Sequence, residues 1–212
     1  MDHLNGIWLP LVTPFRDDRL DEPSLRRMIR HYAAEPIEGL ILAATTGEGL
    51  TLDDPEIERL VQVAAAELET SGRRIPIYLG ISGSYTNRVA KSLESTAPWP
   101  IDGYLIACPY YTRPSQGGLY RHFSALADAT SRPIVIYNIP YRTGVNLGNE
   151  TMLRLAERSN IVGVKDCCAD AAQSFDLLRT RPPGFAVLTG EDALFYTAVS
   201  YTHLTLPTIC SV

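Results

Sequence analysis

A chain of 212 residues, 45% hydrophobic and 20% charged, has room for one sizeable soluble domain. Its net charge of -5 and the lack of any Lys/Arg run exclude an ordinary nucleic-acid surface. No stretch approaches the roughly 20 uninterrupted apolar residues of a membrane span, and "MDHLNGIWLP" has neither the charged start nor the apolar core of a signal peptide. A cytoplasmic location is therefore expected, with the four cysteines as free thiols. They show no metal-ligand spacing, and the adjacent Cys167 and Cys168 suit neither a zinc site nor a disulfide framework.

Along the chain, the first apolar run is "GIWLPLVTP" from Gly6. "DEPSLRRMIRHYAAE" follows with helical spacing, placing Leu25, Met28, Ile29 and Tyr32 on one stripe and Arg26, Arg27 and Arg30 outside it. Next come "GLILAAT" from Gly39 and "DDPEIERLVQVAAAEL", whose acidic first turn and Pro55 mark a helix start. The runs "IPIYLGIS" from Ile75, "GYLIACPYY" from Gly103 and "PIVIYNIP" from Pro133 lead to the helical "NETMLRLAERS". "NIVGVKD" from Asn160 and "FAVLTGE" from Phe185 complete seven runs. Most are near-continuous rather than alternating, as in parallel strands buried on both faces.

Seven strand–helix units about 30 residues apart mean a parallel sheet, either open or closed into a barrel. No G-x-G-x-x-G turn follows the first strand, so a dinucleotide fold has little support. Polar residues instead follow nearly every strand: Thr13, Thr45-Thr46, Ser82, Tyr110-Tyr111, Tyr137-Asn138, Lys165-Asp166 and Gly190-Glu191. Chemistry spread over many strand ends is how a (β/α)8 barrel builds its site, and that α/β fold is expected here. Such barrels typically need about 250 residues and an eighth strand. After "DALFYTAV" the segment Ser200 to Val212, "SYTHLTLPTICSV", is Thr-rich and has no helical stripe. The expected division is a partial barrel over 1–199 and a non-native tail over 200–212. The alternative is that "THLTL" is a strand that closes the barrel early.

Several strand ends carry chemistry. "AATTGEG" (Ala43 to Gly49) offers two hydroxyls and backbone N–H groups able to hold a small carboxylate, although the same turn could merely cap the helix that follows. Tyr110 and Tyr111 lie on a Pro-bounded loop, where paired tyrosines are more often packing residues. Arg142, in "YNIPYRTG", is either a solvated cation or a bidentate clamp for a carboxylate. Lys165 is one of only two lysines among 19 basic residues, and it ends a buried run. An amine, unlike a guanidinium, can shed its proton when desolvated and attack a ketone; the bland reading is an ion pair with Asp166.

Five motifs in order, "ATTGE" (44–48), "PYYTRPSQGGLYRHF" (109–123), "YNIPYRTG" (137–144), "GVKD" (163–166) and "LTGED" (188–192), resemble the dihydrodipicolinate synthase and N-acetylneuraminate lyase family of pyruvate aldolases. The resemblance runs from about Gly6 to Val199. It implies that Lys165 forms an imine with pyruvate, with no cofactor or metal, and that Tyr137 transfers protons beside it. It implies a hydroxyl relay from Tyr137 through Thr45 to Tyr111 of a neighbouring subunit in a homo-oligomer, a dimer of dimers. Thr45 and Thr46 would hold the pyruvate carboxylate, Arg142 the carboxylate of the incoming aldehyde, and Gly190 would provide a close backbone approach.

Arg142 favours L-aspartate 4-semialdehyde as acceptor, giving 4-hydroxy-tetrahydrodipicolinate on the route to diaminopimelate and lysine. The alternative is an N-acetylneuraminate or 2-keto-3-deoxy sugar-acid lyase. Asp166 stands where glutamate is common in the synthases. Asp54, Ile57, Ser84 and Arg88 depart from the family's lysine-feedback residues, so feedback inhibition is not expected. With its eighth strand and last helices missing, the chain is expected to expose strand edges and apolar surface, and expressed alone to be insoluble or molten; a further alternative is an inactive truncated fragment.

Overall fold

The computed structural model describes residues 4–191. The proposed tail over 200–212 and the strand reading of "THLTL" lie outside the described residues. In chain order the elements begin with β1 (Trp8–Pro10), β2 (Phe15–Arg16), β3 (Arg19–Leu20), α1 (Glu22–Ala33), β4 (Gly39–Leu42) and α2 (Asp54–Thr70). Then follow β5 (Ile77–Ile81), α3 (Thr86–Thr96), β6 (Gly103–Ala107), α4 (Gln116–Asp128), β7 (Ile134–Asn138) and the single turn α5 (Pro140–Thr143). The series ends with α6 (Asn149–Leu155), β8 (Ile161–Asp166), α7 (Ala171–Thr180) and β9 (Ala186–Thr189).

All seven apolar runs contain strands, and they form one parallel sheet in the order β1-β4-β5-β6-β7-β8-β9. Each strand pairs with its predecessor and the order never reverses, which is barrel winding rather than doubly wound winding. The fold is TIM-barrel-like and incomplete: among the described residues β1 and β9 are not paired with each other.

Both sheet faces are apolar, which explains the near-continuous runs. Leu40, Leu42, Tyr104, Ile106, Ile134 and Ile136 face the helices, in a core that includes Leu25, Ile29 and Phe123. The alternate residues Ile41, Leu105, Val135 and Tyr137 fill the concave side with Trp8, Tyr78 and Leu188. α1 buries Leu25 and Ile29 as its stripe predicts, with Ala33 completing the deepest line while Met28 and Tyr32 sit at its margin. α2 begins at Asp53, which forms a capping box with Glu56.

Polar side chains just ahead of three strands close the opposite, amino-terminal end of the sheet. Arg73 donates to the carbonyls of Ala33, Glu35 and Ile37, where α1 runs into β4. Arg132 repeats this on Ala97, Trp99 and Ile101 after α3. Asn160 does the same for Ala127 and Thr130 after α4. Each partners a carbonyl at the end of the preceding helix (Ala33, Ala97 and Ala127) and braces the loop that follows it. The β2–β3 hairpin, unforeseen from hydropathy, turns on Asp17 and Asp18, both at positive φ (51° and 58°) as a two-residue hairpin turn requires.

Candidate active site

The carboxyl ends of β7 and β8 set the centre of the site. Tyr137 and Lys165 are register partners, and the Lys165 ammonium lies 4.6 Å from the Tyr137 ring centroid. Both are buried, at 7% and 5% exposure. Burial pushes the Tyr137 pKa above its ordinary value; Cys167 and Tyr141 add to this, while a hydrogen bond with Thr45 and the Arg142 charge pull the other way. The phenol is therefore a neutral hydroxyl at physiological pH, able both to give and to accept a proton. Asp166 is occupied elsewhere. Its carboxylate accepts from the Cys168 N–H (3.1 Å) and the Ser174 hydroxyl (2.5 Å) in the turn that leads to α7.

The threonine turn after β4 is fixed by its backbone. Ala43 and Glu48 sit at φ 53°, and the buried Thr13 hydroxyl donates to the Gly47 carbonyl (2.7 Å). A β-carbon at Gly49 would overlap the Ala43 carbonyl oxygen, so the turn closes this tightly only around glycine. Since Asp53 caps α2, the turn is free of that duty. Thr45 is exposed and Thr46 half-buried, and the Thr45 side chain is the one that meets Tyr137.

Gly190, just after β9, abuts the lysine from the other side. A β-carbon there would overlap Lys165 Cε and lie 2.7 Å from Cys167 Sγ. Arg142 is exposed on α5; it hydrogen-bonds Tyr141, stacks at 5.7 Å over that ring, and its charge reaches Tyr137. Tyr111 stands apart. It is 90% exposed at φ 69°, and its N–H donates to the Thr143 carbonyl (3.1 Å), which ties its loop to the one carrying Arg142.

Lys165, Tyr137, Thr45, Gly190 and Arg142 thus gather at one mouth, with Thr46 beside Thr45, while the Tyr111 side chain points into solvent. Sequence reasoning missed Cys167 as a member of the site. It is 1% exposed, faces the interior two residues after Lys165, and adjoins Tyr137. Burial pushes its thiol up to about 12, so it is a neutral wall of the site. The one available signal was its i+2 spacing from the lysine in extended chain at the end of β8. Asp54, Ile57, Ser84 and Arg88 line a cleft of about 1030 Å³ bordered by α2 and α3, which reaches the threonine turn at Thr45. The three described cysteines are unpaired thiols. Among the described residues no helix is long and apolar enough to cross a membrane.

Known proteins share this fold. The family model described as "Dihydrodipicolinate synthetase family" matches residues 3–203. The 4-hydroxy-tetrahydrodipicolinate synthase 2 of Clostridium acetobutylicum is 44% identical over 196 residues, which is 92% of this chain and 68% of that protein. Other curated synthases that match have less than two thirds of their length covered. Among solved structures, the 4-hydroxy-tetrahydrodipicolinate synthase of Methylacidiphilum fumariolicum SolV superposes with a TM-score of 0.91 at 34% identity, covering 98% of this chain and 69% of that one. The chloride-inhibited dihydrodipicolinate synthase of Acinetobacter baumannii, solved in complex with pyruvate, gives 0.90 at 30% identity, covering 97% and 70%.

Proposed function

The chain belongs to the dihydrodipicolinate synthetase family, and from that premise we propose that its site condenses pyruvate with L-aspartate 4-semialdehyde through an imine on Lys165. The observation that carries this is the buried lysine in register with a buried, neutral phenol at the carboxyl ends of adjacent strands. The Lys165 amine attacks the pyruvate ketone, and water leaves as the imine forms. Loss of a methyl proton, carried by the Tyr137 and Thr45 hydroxyls towards solvent, gives an enamine whose carbon adds to the aldehyde; Tyr137 then protonates the resulting alkoxide. Thr45, in contact with Tyr137, passes a proton from the solvent side back to the phenol. A second copy of the chain is proposed to bring Tyr111 to this relay, in keeping with its 90% exposure. Thr45 and Thr46 hold the pyruvate carboxylate, and Gly190 leaves space for the lysine and its adduct.

Arg142 decides the acceptor. A guanidinium at the mouth pairs with an aldehyde that has its own carboxylate, whereas a polyhydroxylated sugar acid offers no such group at that end. Arg142→Ala should raise the KM for aspartate semialdehyde about 10- to 150-fold, the worth of a hydrogen bond to a charged group, and leave that for pyruvate nearly unchanged. Equal changes for both substrates, or none, would turn the assignment to the sugar-acid lyase. Lys165→Arg should abolish turnover despite keeping the charge, because a guanidinium stays protonated.

A further inference from the structure

The loop carrying Arg142 leaves β7 at Asn138 and returns at Leu147, and side-chain amides hold both of its feet. Asn138, 1% exposed, donates to Asn146 Oδ1 (2.9 Å) and accepts the Leu147 N–H (3.0 Å). Gln173 of α7 accepts from Asn146 Nδ2 (2.7 Å) and donates to the Leu147 carbonyl (3.0 Å). Gln116, at the start of α4, donates to the Asn146 carbonyl (2.7 Å) and accepts the Gly148 N–H (3.0 Å). The two glutamines thus grip the same foot from the unit before β7 and the unit after it. Between the feet the loop is held by the Thr143 hydroxyl, which donates to Ile139 and Val145, and its top presents Arg142 and the 63% exposed Tyr141.

We infer that Gln116 and Gln173 are positioning residues for Arg142 and so set the affinity for the acceptor aldehyde, an inference that rests on the proposed acceptor role of Arg142. Three features support it. The clamp fixes the loop at its base while leaving the guanidinium at the mouth. Every member is an uncharged amide, so none competes with a substrate carboxylate for the arginine. Gln116 also follows directly on the Tyr111 loop, whose Tyr111 N–H already bonds Thr143, so the two loops are joined at both base and top. Bidentate recognition tolerates little angular error, and a loop freed at its foot would have to be ordered again each time the acceptor binds.

The test uses Gln116→Ala, Gln173→Leu and the double variant, each alone and combined with Arg142→Ala. The double variant should raise the KM for aspartate semialdehyde about tenfold, as expected for loss of one or two ordering hydrogen bonds. The pyruvate KM and borohydride-trapped pyruvyl on Lys165 should stay at the parental level. With Arg142 already replaced by alanine, the glutamine substitutions should add nothing further. Amide exchange at Gly148 should accelerate in Gln116→Ala, which reports release of the foot without reference to turnover. An unchanged aldehyde KM, a loss shared equally by pyruvate, or an undiminished effect in the Arg142→Ala background would each overturn the inference. If Arg142→Ala alone leaves the aldehyde KM unchanged, the acceptor reading falls first; if it acts while the glutamine variants do not, only the positioning role falls.

Discussion

At Gly190 one hydrogen in place of a side chain decides whether Lys165 can lie where it does. A methyl group there would overlap Lys165 Cε, and the Cys167 sulfur on its other flank leaves no room to give. Gly190→Ala should therefore lower the yield of trapped pyruvyl-lysine about 5- to 150-fold, since overpacking of this kind typically costs about 1–3 kcal/mol. The melt should remain cooperative, because the clash is with one side chain at a strand end. Labelling at the parental level would show that the lysine adapts and that the glycine has no part in the site. The lysine was legible as a rare residue ending a buried run, whereas the roles of the phenol, the threonines and this glycine came from the family motifs at the strand ends. Cys167 was not legible, since a small thiol just past a buried strand looks like core.

At the scale of elements, the seven strands were legible because a parallel strand buried on both faces cannot hide its composition. The direction in which Lys165 points was not. Alternation counted from Ile161, which faces the helices, would put residue 165 on the helix side too. The structure shifts register between Ile134 and Val135, so that Ile161 pairs with Ile134 but Gly163 with Val135, and Lys165 then meets Tyr137 on the concave side. This irregularity re-aims the lysine, a recurrent role of bulges near sites. The glutamine clamp was equally hidden, for it joins residues 27 and 32 positions apart. The arginines that close helix ends carry a prediction of their own. Arg132 donates to three carbonyls after α3, so Arg132→Ala should cost about 2–3 kcal/mol in urea unfolding, read as a lower midpoint at unchanged slope. A shift equal to that of an exposed arginine such as Arg27 would contradict this helix-closing role.

For the whole molecule, burial makes stability depend on pH at His122, which lies at 4% exposure on α4. Its Nδ1 meets the Thr86 hydroxyl at 2.9 Å, while Nε2 is buried without a hydrogen-bond partner among the described residues. Desolvation lowers its pKa from 6.5 to about 4. Between those values the unfolded chain binds a proton that the fold refuses, so stability falls as pH drops through that window. The loss approaches about 3 kcal/mol near pH 4, and His122→Gln should remove most of it in urea melts at pH 7 and 4.5. An identical pH dependence in the variant would contradict the buried neutral imidazole. The proposed chemistry depends on the whole fold as well, since its groups come from four separate strand ends that only the wound sheet brings together. The most direct test is borohydride reduction in the presence of pyruvate, followed by peptide mass analysis of native and urea-unfolded protein. The proposed imine predicts a reduced pyruvyl group on Lys165 in the native chain, absent from Lys91, with the selectivity lost on unfolding. Labelling at Lys91 instead, or no label in the folded protein, would contradict it.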